Sequence, residues 1–180
     1  MLSLEKYDVL EVIKMNDSRM KKAGIVACIA AVLYALPHYW WGLGFGFAFP
    51  GDFQETSDDF WSHAIGYWGM GTIAMLAAVF ALAFARPWGR RLPRWMLIVP
   101  ATAGSVLLSL WGFIYFALQY LLAVGRVQSA PMHAAQDANP MAAWGYFWYA
   151  LFLVWGISLG IAAYHAGKTR WRQMEEHFTK

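Results

Sequence analysis

The sequence LPHYWWGLGFGF at residues 36–47 lies inside an apolar segment that runs from Ala23 to Phe49. That segment contains no Asp, Glu, Lys or Arg, and His38 is the only histidine deep inside any apolar segment of the chain. A helix of about 20 apolar residues crosses the hydrocarbon core of a bilayer. The stretch therefore predicts a membrane-spanning helix that carries a histidine, two tryptophans and alternating glycines near one end.

The composition of the chain points to the same class. Of its 180 residues, 59% are hydrophobic, 14% are charged, and the mean hydropathy is +0.38. About a quarter of the residues in a soluble domain are charged. The composition therefore excludes an ordinary soluble domain. The net charge of +3 does not indicate nucleic acid, because the basic residues are clustered at the ends of apolar segments. Cys28 is the single cysteine, which excludes an intrachain disulfide and a paired-cysteine redox or zinc site.

Four apolar segments are predicted to span the membrane, at residues 23–49, 60–85, 95–124 and 141–165. The predicted fold class is all-α, an integral membrane four-helix bundle occupying residues 23–167. Residues 1–22 are polar and form either a short amphipathic helix or a segment upstream of a true start at Met20. Residues 168–180 form a basic tail.

The distribution of basic residues predicts the orientation. Thirteen of the fourteen Lys and Arg residues lie in the N-terminal segment, the second loop and the C-terminal tail, and Arg126 is the exception. Cytoplasmic loops carry an excess of Lys and Arg, and an even number of spans places both termini on one side. We therefore expect a bacterial cytoplasmic membrane protein with both termini inside.

Two histidines are candidates for chemistry. His38 lies towards the outer end of the first span and His63 in the first turn of the second, and the short loop between these spans predicts antiparallel neighbours. Two imidazoles near the acidic first loop, with His133 from the other outer loop, could bind a metal ion, ligate a haem or relay a proton. The alternative is structural, with His38 bonded to a serine, tyrosine or backbone carbonyl of a neighbouring helix.

Aromatic residues crowd the outer ends of the spans. They are typical of an interfacial aromatic belt, or they line a cavity for a lipophilic, quinone-like or cationic ligand. The residues predicted to bind such a ligand are His38, Tyr39, Trp40, Trp41, His63 and Trp68.

Small residues four positions apart predict close helix packing. The pairs are Gly42 with Gly46, Gly156 with Gly160, and Ser105 with Ser109. Helices in membranes associate where such residues let their backbones approach.

The first span also resembles that of a bacterial family of small four-span membrane proteins whose function is unknown. The residues that carry the resemblance are His38, Tyr39, Trp40, Gly42, Gly44 and Pro50. The resemblance implies no activity and indicates only that the outer end of the first span matters.

Three functions are consistent with these features. The favoured one is a non-catalytic binding or accessory protein with an outward-facing pocket of aromatic and histidine residues, acting with a membrane partner or as a homo-oligomer. The alternatives are a metal- or haem-dependent redox protein that uses His38 and His63, and a subunit of a small-molecule transporter. No cofactor is predicted for the favoured function, and no nucleic acid is expected as a partner.

Overall fold

The computed structural model describes residues 2–50, 61, 64–127 and 143–178, with side chains placed for residues 11–50, 61, 65–127 and 143–168. Regular structure in these ranges is entirely helical, as the sequence predicts. The helices are α1 (Leu2–Trp41), α2 (Met70–Leu82), α3 (Arg94–Ala123) and α4 (Ala143–Phe178). A π-helix at Ala64–Gly69 leads into α2, and a 3-10 helix at Pro87–Arg91 precedes α3.

Four stretches of these helices are long and apolar enough to cross a membrane. They are Glu11–Trp41, Ile65–Leu82, Arg94–Ala123 and Ala143–Lys168. Two helices extend beyond the apolar segments, because α1 begins at Leu2 and α4 continues to Phe178. The added residues are mostly Leu, Glu, Lys, Arg, Gln and Met, which favour helix even where they are polar.

The helices pack side by side in the order α2, α1, α4, α3, because α1 contacts both α2 and α4, and α3 contacts α4. Neighbours in this order are antiparallel, as the packing of Gly24 on Phe84 and of Gly71 on His38 illustrates for α1 and α2. Each end of the array has its own composition. The basic end holds Lys21 and Arg90, and the aromatic end holds Trp41 and Trp148.

Alanines are the commonest buried residues on α1 and α2, two helices that contact each other. On α1 they recur every three or four residues and are almost fully buried, which places them on one helix face. At both ends of the contact a glycine lies against the opposite backbone, since a Cβ at Gly24 would lie 3.0 Å from the Ala81 carbonyl and one at Gly71 would lie 3.3 Å from that of Ala35. The buried alanines are Ala23, Ala27, Ala30, Ala31 and Ala35 on α1, and Ala74, Ala78 and Ala81 on α2.

Glycine and serine form the interface between α3 and α4. Gly156 lies against Ser105 and Ser109, and Gly160 lies against Ser105. The small pair of α4 therefore meets the small pair of α3, and the two backbones come close together.

The outward face of α3 is covered with large apolar side chains. More than half of the surface of Trp95, Leu107 and Phe113 is exposed, and only 17% of the residues in the apolar window of this helix are buried. Soluble proteins rarely expose a continuous apolar surface of this kind. The composition of this surface therefore fits a helical membrane protein.

Candidate functional site

His38 lies near the end of α1, buried between two aromatic rings. Its ring centroid is 4.5 Å from that of Tyr34 and 4.8 Å from that of Trp41, and 7% of its surface is exposed. Its Nδ1 donates to the carbonyl oxygen of Tyr34, one turn earlier on the same helix, at 2.9 Å. A carbonyl can only accept, so Nδ1 carries the proton and Nε2 presents a lone pair.

The sequence predicts a partner for a structural His38 on a neighbouring helix, but the carbonyl that it contacts belongs to α1 itself. The preceding residue makes this turn irregular, although the carbonyl that it leaves without a helix donor is that of Leu33 and not that of Tyr34. Pro37 has no N–H and is fully buried, which interrupts the hydrogen-bond ladder of this helix next to His38. The side chain of His38 supplies a donor to the backbone within this irregular turn.

The end of α1 is closed by a left-handed glycine. Gly44 has φ of +88°, the N–H of Phe45 donates to the Trp40 carbonyl at 3.0 Å, and that of Gly44 donates to the Trp41 carbonyl at 2.9 Å. This pair of bonds is the Schellman motif that ends many helices. The Tyr39 carbonyl accepts from Trp68 Nε1 at 3.3 Å, so a residue of the neighbouring π-helix completes the cap.

Three tryptophans fix the segment that follows α1. Both Trp40 Nε1 and Trp41 Nε1 donate to the Phe47 carbonyl, at 3.0 Å and 2.8 Å. Trp148 Nε1, from α4, donates to the Ala48 carbonyl at 2.7 Å in a buried position. The segment therefore folds back onto the aromatic end.

Trp41 is the centre of the aromatic packing at this end. Its ring meets Trp148 edge-on at 5.9 Å, Phe49 at 5.1 Å and Tyr67 at 6.3 Å. Edge-to-face pairs at these distances are favourable beyond the apolar surface that they bury. Elements that are distant in the sequence are thus joined in one cluster.

The turn supported by this cluster presents apolar side chains to its surroundings. Leu43 is 64% exposed, Phe45 63% and Phe47 69%. The tryptophan hydrogen bonds hold the Phe47 carbonyl, and the Phe47 ring lies 6.3 Å from that of Trp40 and 5.7 Å from that of Trp144. The aromatic end therefore presents an exposed apolar turn, which is suited to contact with another apolar group.

Five of the six residues predicted to bind a ligand lie in this region. Trp41 and His38 are buried, whereas Tyr39, Trp40 and Trp68 are partly exposed. The sixth, His63, lies outside the described residues, as do His133 and the acidic loop. Within the part of the chain that is described, no three His, Cys, Asp or Glu side chains converge as they would around a metal ion.

The residues predicted for helix packing lie in two different settings. Gly156 and Gly160 lie in the interface of α3 and α4, as described above. Gly42 and Gly46 come after the last residue of α1, so they are part of the turn and not of a helix face. Gly42 lies directly against the indole of Trp68, where a side chain would overlap the ring.

Sequence reasoning missed two tertiary contacts. One is the bond from Trp148 to Ala48, which joins positions 100 residues apart. The other lies at the basic end, where His165 Nδ1 contacts Asn16 Oδ1 at 3.1 Å in a buried position between α1 and α4. No local sequence pattern indicates either pairing. For the second contact, the position of His165 at the end of a predicted span was the one indication in the sequence.

Comparison with known proteins gives no further assignment. No protein-family model matches the chain, and no curated protein or solved structure matches it significantly. The resemblance seen at His38, Tyr39 and Trp40 therefore rests on the sequence of the first span alone.

Proposed function

We propose that this protein is a four-helix bundle of the bacterial cytoplasmic membrane that binds a small lipophilic ligand at its aromatic end and has no catalytic activity of its own. The observation that carries the proposal is the turn after α1. Three large apolar side chains are exposed on this turn, and three indole N–H groups hold its Phe47 and Ala48 carbonyls. A preorganised site loses little conformational entropy when it binds.

The orientation that goes with this proposal follows from charge. The basic end carries most of the Lys and Arg residues, so the positive-inside rule places it in the cytoplasm. The aromatic end then lies at the outer surface of the membrane. Trp and Tyr are enriched at such interfaces between lipid and water. A ligand would reach the turn from the outer leaflet or from the periplasmic side.

The binding function can be tested with a short-chain quinone as the lipophilic probe. We expect decyl-ubiquinone, added to protein in a mild detergent, to quench tryptophan fluorescence saturably, since Trp40 and Trp41 lie directly beneath the turn. In the variant Phe45→Ser/Phe47→Ser the affinity should fall by about tenfold or more, because two apolar contacts are lost.

The matched control is Phe113→Ser, which removes an equally exposed phenylalanine from the outward face of α3. This variant should bind the probe as the wild type does. Quenching that does not saturate, or that is the same in all three proteins, would show partition into the detergent and reject the binding site.

A second function has one observation in its favour. His38 Nδ1 is oriented by a backbone carbonyl, while Nε2 has no hydrogen-bond partner among the described residues. Metal-ligating histidines are commonly oriented in this way through their other nitrogen. A metal- or haem-dependent redox protein that uses His38 with His63 is therefore the alternative.

The alternative is separated from the first proposal by spectroscopy. A bound haem or metal should give a visible absorption band or a stoichiometric metal content that disappears in His38→Ala. Colourless, metal-free protein that still binds the quinone would support the binding function, whereas loss of a chromophore in the variant would support the redox function.

A further inference from the structure

A cavity lies at the basic end of the helices, opposite the aromatic turn. It has a volume of about 760 Å³ and is bounded by α1, the segment that follows α2, the 3-10 helix, the start of α3 and Ala166 of α4. Binding sites for small molecules have volumes of about 300–1,000 Å³. The cavity is large enough for part of an organic ligand.

The charges around this cavity are strongly unbalanced. Among the residues whose side chains the structure places, its lining includes five cationic residues and a single carboxylate, that of Asp17. Asp17 is already engaged, because its oxygens lie 2.6 Å from Lys21 Nζ and 3.9 Å from Arg90 Nη2. Positive charge is in excess among these described residues, so the site favours an anion. The cations are Lys14, Lys21, Arg86, Arg90 and Arg94.

The arginines are positioned by a tight turn. Gly89 is buried against the Ala83 carbonyl so closely that any side chain would overlap it. The turn therefore stays folded under the end of α2, and Arg86 and Arg90, on either side of Gly89, are both exposed at the cavity. Arginine binds phosphate groups through two parallel N–H donors.

The remaining walls of the cavity are apolar. Phe84 and Leu97 are buried within it, and Ile98 is partly exposed. On the same turn of α3 the side chains of Trp95 and Met96 point outward and are exposed, so the apolar wall is next to the surface that fits lipid. An anion with an apolar tail matches both parts of this site, and a free inorganic ion matches only one.

From this arrangement we infer that the cavity binds an anionic phospholipid, whose phosphate contacts Arg86 and Arg90 while an acyl chain lies along Phe84 and Leu97. The cavity lies where the apolar part of α2 ends and that of α3 begins, which is the depth of lipid headgroups. Anionic lipids are concentrated in the cytoplasmic leaflet, where basic residues next to a span attract them.

The inference can be tested by native mass spectrometry of the full chain released from a mild detergent, with dioleoyl phosphatidylglycerol as the anionic probe and dioleoyl phosphatidylcholine as the zwitterionic one. We expect phosphatidylglycerol to bind more tightly by about tenfold. The variant Arg86→Gln/Arg90→Gln should lose this preference. In Asp17→Asn phosphatidylglycerol should bind several times more tightly, because Lys21 and Arg90 are released from their carboxylate.

Three further measurements make the test decisive. Arg126→Gln removes one positive charge at the other end of the helices and should leave the lipid preference unchanged. If the double arginine variant does not fold, Lys14→Gln, which leaves both ion pairs of Asp17 intact, should weaken phosphatidylglycerol binding by itself. Equal binding of the two lipids, equal loss in Arg126→Gln, or displacement of phosphatidylglycerol by inorganic phosphate at matched concentration would each overturn the inference.

Discussion

At the scale of single residues, two side chains in apolar surroundings pair with backbone carbonyls of this chain. His38 donates to the Tyr34 carbonyl, and Trp148 donates to the Ala48 carbonyl. Leaving a buried polar group unpaired costs more free energy than a typical hydrogen bond contributes to stability. These side chains therefore determine the path of the backbone around them.

The bond from Trp148 should be the most important of the three indole contacts. In Trp148→Phe the ring is replaced by a smaller one and the buried Ala48 carbonyl loses its donor, in a residue whose φ of +61° is already unfavourable for a side chain. We expect the free energy of unfolding to fall by about 1–3 kcal/mol. Denaturation in mixed micelles, followed by far-UV circular dichroism, measures this change.

Trp40→Phe is the matched comparison for this prediction. The Phe47 carbonyl accepts from both Trp40 and Trp41, so it keeps one donor when Trp40 is replaced. The loss of stability should be smaller than in Trp148→Phe. An equal or larger loss of stability in Trp40→Phe would contradict this prediction. It would mean that the Phe47 carbonyl, with two indole donors, is no less sensitive than the Ala48 carbonyl, with one.

At the scale of elements, small residues decide how close the helices come, and glycine decides where α1 ends. The first apolar segment continues to Phe49, but α1 ends at Trp41. Gly44 adopts a left-handed conformation at little cost, and the tryptophan bonds to the Phe47 carbonyl reverse the chain. Apolar character alone therefore overestimates the length of this helix.

The interface of α3 and α4 gives a sharp test of close packing. In Gly156→Ala the new Cβ would lie 2.8 Å from the Ser109 nitrogen and 3.0 Å from the Ser105 carbonyl oxygen, both of which belong to the backbone. The helices must move apart, so we expect a loss of about 1–3 kcal/mol in the free energy of unfolding.

Gly167→Ala provides the control on the same helix. Among the described residues, no atom outside its own stretch of helix lies within 4 Å of the position that its Cβ would take. Because alanine favours helix over glycine by up to about 1 kcal/mol, this variant should be as stable as the wild type or more stable. A stable Gly156→Ala protein in the same denaturation assay would contradict the packing described here.

At the scale of the whole molecule, charge separates the two ends of the array. Cysteine labelling tests the orientation proposed from this asymmetry, in a Cys28→Ser background that removes the single native thiol. Val124 lies near the aromatic end and Trp88 at the basic end, and both are exposed. A membrane-impermeant maleimide applied to intact bacterial cells should label Val124→Cys and not Trp88→Cys.

Permeabilised cells supply the control, because both variants should then be labelled. Labelling of Trp88→Cys alone in intact cells would invert the proposed orientation. Labelling of both in intact cells would contradict the four-span arrangement.

The sequence by itself determined the helical class, the four apolar stretches and the unequal distribution of charge. These properties depend on composition summed over about 20 residues, which is what a hydrocarbon layer or a helix responds to. The sequence also identified His38, Tyr39, Trp40, Trp41 and Trp68 as one neighbourhood, because four of the five are adjacent in the chain.

The sequence predicted that α1 and α2 are neighbours, but only the tertiary structure decided the rest of the helix order and how the aromatic end is closed. The order α2, α1, α4, α3 depends on the fit of small residues across interfaces, and the turn after α1 depends on a donor from α4. The cavity at the basic end likewise brings together residues from four helical elements. Contacts of this kind depend on distance in space, and a pattern read along the chain carries no information about a partner 100 residues away.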